Sequence, residues 1–276
     1  MNAFTDDERS ALVRVSVEKW DADRRVVCED DVAEEIPVAL EYNGISHAVM
    51  MASPYDLEDF ALGFSLSEGI LNDRSELYDC EVISSCDGIQ VQMQIATERF
   101  VTLKDKRRNL TGRTGCGLCG AETLEQAIRH PGVTVGTIRF SAEQIHAGMK
   151  TMRSMQRLQK YTGATHAAAW MNADGSVELV REDVGRHNAL DKLIGAMSKK
   201  RLDFSTGAAL ITSRASYEMV QKSATMGVSF LAAISAPTSL AIRLAEEANV
   251  TLIGFVRDQS HVVYAQSHRL IRDGLK

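Results

Sequence analysis

The chain has 276 residues, of which 45% are hydrophobic and 25% are charged, so it can bury the core of one large domain or two smaller ones. Its net charge of −6 and pI near 5.7 argue against nucleic acid or an anionic membrane as a partner. No apolar run is long enough to span a bilayer, and no signal-peptide core opens the sequence. Five cysteines, an odd number, argue against a secreted disulfide framework. We therefore expect a cytoplasmic protein.

The first part of the chain predicts a compact α+β unit. Residues 1–25 are polar and mixed in charge, and we expect a flexible tail there. A β-hairpin is predicted over 36–51, because Asn43-Gly44 suits the positive φ angles of a two-residue turn. A helix is then expected from Pro54 to Gly69. Further strands are predicted over 81–85, 89–95 and 99–103.

The middle of the chain predicts two helices and a domain boundary. A short helix is expected over 122–130 and a longer amphipathic helix over 142–161. Methionines recur in the longer helix at helical spacing, which favours core packing over a flexible copper site. We place the boundary near residue 140. It separates an N-terminal α+β domain (26–140) from a C-terminal domain (141–276).

From Ala208 onward, short apolar runs alternate with helices, which is typical of an α/β layer structure. Because the runs lack polar alternation, they predict a sheet that is covered on both faces. The expected strands are 208–212, 229–235, 250–256 and 262–265, and the expected helices are 216–226 and 238–248.

The most informative motif is Arg113-Thr114-Gly115-Cys116-Gly117-Leu118-Cys119-Gly120, a C-x-x-C pair in a glycine-rich loop that we place at 105–121. Nearby cations favour the thiolate, which is the form that attacks sulfur or binds metal. Three interpretations stay open: a zinc half-site, a thioredoxin-like disulfide pair and a sulfur relay. An accessible, cationic loop favours the relay, since thiol exchange depends on thiolate fraction and access. A zinc site would need further ligands from Cys28, Cys80 or Cys86.

The segment Thr165-His166-Ala167-Ala168-Ala169-Trp170 raises the possibility of a zinc deaminase. Such enzymes carry H-x-E followed by P-C-x-x-C, and the glutamate moves protons. Here the C-x-x-C comes first, and Ala168 stands where the glutamate should be. Deaminase chemistry is therefore excluded. Two interpretations of His166 remain: a structural residue at the start of an apolar helix, or a contact to a ligand or phosphate.

Several segments carry side chains that suit an anion. If Asp183 caps a helix, Arg186 and His187 lie on its first turn, where free N–H groups attract anions. A capped helix with solvated charges is the alternative. Three predicted strand ends also carry Ser, Thr or Arg, and ligands bind at such ends in open α/β sheets. These segments are Ser213–Ser216 with Arg214, Ser235–Ser239, and Phe255–Ser260 with Arg257. Neither a Walker A motif nor G-x-G-x-x-G is present, so ATPase and nicotinamide-enzyme hypotheses lose their usual support.

Seven blocks of sequence, between about Glu34 and Tyr264, are distinctive in content and order. They are Glu34–Leu40 with Asn43-Gly44, Ala61–Phe64, Ser67–Gly69, Arg113–Gly120, Thr165–Trp170, Glu182–Lys192 and Ser213–Lys222. Together they resemble the FdhD family of formate dehydrogenase accessory sulfurtransferases.

The resemblance implies a sulfur carrier that accepts sulfur from a cysteine desulfurase and delivers it to the Mo-bis(molybdopterin guanine dinucleotide) cofactor of formate dehydrogenase. It implies that Cys116 carries the persulfide and that Cys119 assists in relay or resolution. The family's cofactor-binding stretch falls on Phe255, Val256, Arg257, Asp258, Gln259 and Ser260. Some members have Lys-Pro-Gly-Arg at the last four positions, so the glycine and the distal arginine are missing here.

The resemblance also implies a homodimer and a C-terminal cytidine-deaminase-like three-layer α/β/α domain without deaminase chemistry. We expect the cofactor, or a GDP-like guanine nucleotide in the same site, to contact Ser213, Arg214, His166 and His187 as well. No resident metal is expected. The alternative functions are a zinc-stabilised binding module and a non-catalytic molybdenum-cofactor chaperone.

Overall fold

The computed structural model describes residues 9–108, 130–134 and 136–271. An antiparallel hairpin of β1 (Leu12–Asp21) and β2 (Arg24–Ala33) opens the described chain. The expectation of a flexible tail is therefore wrong from Leu12 onward. Val13, Val15 and Val17 are half-buried and alternate with exposed side chains, which is the period of a strand with one covered face.

A four-stranded sheet forms the centre of the N-terminal part, with strand order β4-β3-β6-β5. The predicted hairpin over 36–51 is confirmed, and its turn residues Asn43 and Gly44 have φ angles of 46° and 80°. The strands are β3 (Ile36–Tyr42), β4 (Ile45–Ala52), β5 (Leu77–Ser85) and β6 (Gly88–Ile95).

Two helices accompany this sheet. Helix α1 (Leu57–Ser67) confirms the predicted helix, and Gly69 follows it with a φ of 62°. The predicted strand over 99–103 is wrong, since these residues lie in α2 (Thr97–Arg108). Phe100 and Leu103, three residues apart, pack on the core while the side chain between them at 101 is exposed, so the apolar spacing is helical.

A six-stranded mixed sheet forms the C-terminal part, with strand order β13-β12-β11-β10-β8-β9. Strands β10, β11 and β12 are parallel, and the other neighbours are antiparallel. The four strands predicted after Ala208 are confirmed, whereas β8 and β9 were not predicted. The six strands are β8 (His166–Asn172), β9 (Val177–Asp183), β10 (Gly207–Ile211), β11 (Phe230–Ala233), β12 (Thr251–Arg257) and β13 (Ser260–Ala265). A short parallel pair, β7 (Phe140–Ser141) with β14 (Leu270–Ile271), lies outside this sheet.

Helices cover both faces of the six-stranded sheet, as predicted. Alternate strand residues join two different cores: Ala209 and Leu231 pack with one set of helices, and Leu210 and Ala232 with the other. Helix α3 covers one face, and α5, α6 and α7 cover the other. The helices are α3 (Ala142–Met155), α4 (Arg157–Thr162), α5 (Arg186–Lys199), α6 (Tyr217–Thr225) and α7 (Ser239–Glu247). The mixed α/β class is confirmed, and the cytidine-deaminase-like detail stays a prediction.

The single helix predicted over 142–161 is two helices, because the backbone turns at Gln156 with a ψ of 95°. Met149 and Met152 are buried in the core beneath β8 and β10, which confirms their packing role, whereas Met155 is 41% exposed and the prediction is wrong there. The short helix predicted over 122–130 lies outside the described residues except for His130, which is not helical.

The two parts of the protein share one core through α1 and α5. The helices cross at Gly63 and Gly195, where backbone meets backbone. A Cβ at Gly63 would lie 1.7 Å from the carbonyl oxygen of Asp191, and a Cβ at Gly195 would lie 1.9 Å from that of Asp59. A side chain at either glycine would therefore push the helices apart. The domain boundary near 140 stays a prediction. Among the described helices, none has the length and apolarity needed to cross a membrane.

Candidate functional site

The carboxyl ends of β10, β11 and β12 lie at one edge of the large sheet, since the three strands are parallel and adjacent. The loops after β10 and β11 are tied together, because Ala215 N–H donates to Ala236 O at 3.2 Å and Thr238 N–H donates to Ala215 O at 3.1 Å. Antiparallel β8 starts at this edge and β9 ends there. We call it the carboxyl edge, comprising residues 213–216, 235–238 and 255–260 with His166 and 183–187.

His166 is the first residue of β8 and pairs with Asp183 of β9, so its interpretation as a helix start is wrong. Ala167, Ala168 and Ala169 favour a helix by intrinsic propensity, but pairing with β9 and β10 on both sides overrides it. Burial lowers the pKa of His166, and the positive charge of Arg186 lowers it further. The shift favours the neutral imidazole.

Helix α5 begins beside His166 at the carboxyl edge. Its N-cap is Gly185, so the prediction that Asp183 caps it is wrong. The Asp183 carboxylate accepts the Gly185 N–H at 2.7 Å and lies 2.7 Å from Nζ of Lys192, both side chains being fully buried. Asp183 therefore holds the helix start through its neighbour and through a buried lysine.

Arg186 and His187 lie in the first turn of α5, as predicted. His187 Nε2 is 2.7 Å from Glu218 Oε2 at the start of α6, and this contact lowers the pKa of Glu218. Glu218 received no role in the sequence analysis. This contact ties the first turns of α5 and α6 together, so the two helices present their N-termini at one place.

Besides His187 Nε2, which has only its ion-pair contact with Glu218, two buried polar atoms at the carboxyl edge have no hydrogen-bond partner within the described part of the chain. They are Nε of Arg186 and Oγ of Ser216, and Ser216 makes no side-chain capping bond although it is the N-cap of α6. Buried polar groups are nearly always paired in folded proteins. Donors left over beside two helix N-termini suit an anionic ligand.

Ser213 and Arg214 follow β10 at this edge, as predicted. Ser213 is buried and its Oγ donates to the carbonyl of Arg214 at 2.9 Å, whereas the Arg214 residue is exposed. The exposed Arg214 therefore adds a positive charge to the same edge as Arg186 Nε and Ser216 Oγ.

Residues 255–260 span the turn between β12 and β13: they comprise the last three residues of β12, the connecting Asp258-Gln259 and the first residue of β13. Phe255 and Asp258 take left-handed φ angles of 53° and 51°. Arg257 Nε donates to Ile234 O at 3.2 Å, and Ser260 Oγ donates to Arg257 O at 3.2 Å. Part of the donor capacity predicted for an anion is therefore used on backbone carbonyls, one of the residue after β11 and one of the turn itself. Val256 is buried and Gln259 exposed, and β11 separates the turn from the Ser213 loop, a distance of about 10 Å.

Cys116 and Cys119 lie outside the described residues. Of the other cysteines, Cys28 and Cys80 are half-buried and Cys86 is exposed. Burial raises the pKa of the Cys80 thiol to about 11, which disfavours the thiolate that a zinc site requires. Among the residues with described side chains, no three His, Cys, Asp or Glu groups gather as metal ligands.

A buried charge network joins α1, α5 and α6, and the sequence analysis missed it. Lys222 Nζ lies 2.9 Å from Asp191 Oδ2 and 2.9 Å from Glu68 Oε1. Ser67 Oγ donates to Asp191 Oδ1 at 2.7 Å. Three of the distinctive sequence blocks meet here, so their charged residues hold the fold. The available signal was the placement of Asp191 and Lys192 among apolar residues of a helix.

A comparison with models of protein families assigns the chain to one family. The FdhD/NarQ family model matches residues 33–271. The chain belongs to the FdhD/NarQ family. FdhD/NarQ relatives named sulfur carrier protein FdhD include one from Cupriavidus necator, 59% identical over 92% of this chain and 88% of that protein. Another from Bordetella petrii is 53% identical over 87% of each chain.

A solved structure shares the fold. It is described as the "crystal structure of a putative formate dehydrogenase accessory protein from Desulfotalea psychrophila". The similarity has a TM-score of 0.73 at 21% identity and covers 95% of this chain and 100% of the other. The two chains therefore share a fold although about four in five aligned residues differ.

Proposed function

We propose that this protein is a sulfur carrier that serves formate dehydrogenase. It accepts sulfur from a cysteine desulfurase on Cys116 and delivers it to Mo-bis(molybdopterin guanine dinucleotide) bound as substrate at the carboxyl edge. The observation that carries the proposal is the pair of unpartnered buried atoms, Arg186 Nε and Ser216 Oγ, in a chain with a cationic C-x-x-C motif. The relatives named sulfur carrier protein FdhD support it.

Loading is a thiol–disulfide-type exchange. The Cys116 thiolate attacks the terminal sulfur of the desulfurase persulfide, a bond forms between that sulfur and Cys116, and the desulfurase cysteine leaves as a thiolate. Cations close in sequence, among them Arg113, favour the attacking thiolate. Cys119 acts in relay or in resolution of the persulfide.

The carboxyl edge fits the phosphates of a guanine dinucleotide. Arg186 Nε and Ser216 Oγ are donors without partners among the described residues, and the exposed Arg214 supplies a further charge. The N-terminus of α6 adds free backbone N–H groups that favour negative charge. The neutral His166 imidazole offers one donor and one acceptor. The turn at 255–260 lies at the same edge, where it completes the contact surface. We place the protein in the cytoplasm as a homodimer, so that one assembly holds two carrier cysteines.

Intact mass spectrometry after incubation with a cysteine desulfurase and cysteine tests the first step. We expect one added sulfur, about 32 Da, on the wild type and on Cys119→Ala, and none on Cys116→Ala. Full loading of Cys116→Ala, or no loading of the wild type, would falsify the relay. One tightly held zinc per chain that is lost in Cys119→Ser would instead favour a zinc-stabilised module.

Calorimetric titration with GDP tests the second step. Loss of a charge-assisted hydrogen bond is worth about 1.5–3 kcal/mol, so Arg186→Gln is expected to weaken GDP binding roughly tenfold or more. Arg153→Gln, on an exposed position of α3, is the matched control and is expected to bind GDP like the wild type. Equal GDP affinity in both variants would contradict the placement of the nucleotide at the carboxyl edge.

A further inference from the structure

A cavity of about 290 Å³ lies at the opposite end of β12 from the carboxyl edge. Three of its residues carry cationic side chains when histidine is protonated. Its lining comprises Gly136, Thr137, Arg139, Asn249, His268 and Arg269. Because β12 has seven residues, roughly 20 Å of strand separate this cavity from the turn at 255–260.

The fold builds the cavity from two segments that run side by side. The parallel pairing of β7 with β14 aligns the residues before Phe140 with those before Leu270. Thr134 N–H donates to Ala248 O at 2.9 Å, and Asn249 Nδ2 donates back to Thr134 O at 2.9 Å. A Cβ at Gly136 would lie 2.1 Å from Ser229 Oγ, so only glycine lets this segment approach the start of β11.

Arg269 is the buried cation of the cavity, with 3% of the residue exposed. Its Nε donates to Gly136 O at 2.9 Å and its Nη1 donates to Thr251 Oγ1 at 3.3 Å. Both acceptors are neutral, and within the described residues no carboxylate forms an ion pair with Arg269. Burial lowers the pKa of its guanidinium. A buried charge is costly unless an opposite charge compensates it.

The acidic side chains near this end of the sheet have other partners. Glu247 Oε2 lies 2.9 Å from His130 Nδ1, and Glu246 accepts a hydrogen bond from Gln266. Arg139 and His268 are both exposed and form no ion pair among the residues described. The cavity therefore combines one buried and two exposed cationic groups with no carboxylate in its lining.

We propose that this cavity binds a small tetrahedral oxyanion, as inorganic phosphate or as the phosphate of a monoester. The phosphate supplies a negative charge opposite the Arg269 guanidinium, and Arg139, His268 and Thr137 contact the same phosphate. The volume lies at the lower limit of small-molecule sites and suits one phosphate group with a small substituent. It is too small for a bis-dinucleotide, so this site is separate from the carboxyl edge.

Calorimetric titration of the full-length protein with inorganic phosphate at constant ionic strength tests the proposal. Arg139→Gln and His268→Gln change exposed side chains and leave the fold intact. Each is expected to weaken phosphate binding about tenfold, while Arg153→Gln keeps the wild-type affinity. GMP in a second titration identifies the source: tighter binding than phosphate, weakened equally by Arg139→Gln, indicates a monoester. Equal affinities indicate the free anion.

Two results overturn the proposal. One is the lack of saturable phosphate binding in the wild type up to 10 mM. The other is a loss of phosphate binding in Arg186→Gln but not in Arg139→Gln, which assigns the anion to the carboxyl edge. Sulfur loading of Cys116 is expected to be unchanged in Arg139→Gln, so this test and that of the carrier function fail independently.

Discussion

The junction between α1, α5 and α6 and the carboxyl edge both contain buried polar atoms, yet they differ in how these atoms are paired. At the junction, Lys222 meets Asp191 and Glu68, and Ser67 donates to the same aspartate. At the edge, Arg186 Nε and Ser216 Oγ have no partner within the described chain. The paired groups of the junction connect three helices, whereas the donors without partners at the edge are the groups that we propose contact the ligand.

The largest effect that we expect comes from removing the cation of the junction. Lys222→Met leaves Asp191 and Glu68 without their common partner, and breaking a buried ion pair costs about 3–5 kcal/mol. Urea unfolding followed by circular dichroism measures this loss. Arg14→Met is the control, because Arg14 pairs with Asp31 on the surface and such pairs contribute about 0–1 kcal/mol. An equal decrease in the free energy of unfolding in the two variants would mean that the buried junction contributes no more to stability than a surface ion pair.

A pair of serine variants compares the two regions directly. Ser67→Ala removes a buried hydrogen bond to Asp191 and is expected to lower the free energy of unfolding by about 1–3 kcal/mol. Ser216→Ala removes a hydroxyl that bonds no described residue, so the free energy of unfolding is expected to change by less than about 0.5 kcal/mol. Ser216→Ala should instead weaken GDP binding several-fold. The comparison breaks down if Ser216→Ala destabilises the protein as much as Ser67→Ala does.

The smallest effect concerns protons at the carboxyl edge. The His166 pKa in the folded protein lies below its usual value of about 6.5, first through burial and then through Arg186. The resulting contribution to stability is complete above pH 6.5 and is lost as the pH falls through the folded pKa, since the unfolded chain then binds the proton more readily. NMR titration of the imidazole is expected to show a higher pKa in Arg186→Gln. An unchanged His166 pKa in that variant would place the Arg186 charge away from the imidazole.

Local signals were sufficient for much of the fold. Asn43-Gly44 identified the first sheet's hairpin, and the apolar runs after Ala208 identified four strands of the second. The same runs placed Ser213 and Arg214 at the ends of parallel strands, where the structure has them. These elements were predictable because turn chemistry and hydrophobic runs act over a few residues.

The remaining features depend on partners that are distant in sequence. The alanines after His166 favour a helix by propensity, but in the fold they pair with β9 and β10. Asp183 resembles a helix cap in the sequence, but in the fold its carboxylate pairs with the buried Lys192. Lys222 resembles a solvated lysine until α1 covers it. The unpartnered state of Arg186 Nε and Ser216 Oγ also has no sequence signature, since pairing is a property of the folded chain.

The crossing of α1 and α5 at Gly63 and Gly195 has a consequence for biosynthesis. Ser67 reaches its partners Asp191 and Lys222 across 124 and 155 residues of chain, so the apolar face of α1 leaves the ribosome long before α5 and α6 exist. At about 5–20 residues per second, the wait is on the order of ten seconds. Throughout that interval Phe60 and Leu62 have no α5 to pack against. During that interval, the first sheet is the part of the described fold that can cover α1, and the face that later meets α5 stays open.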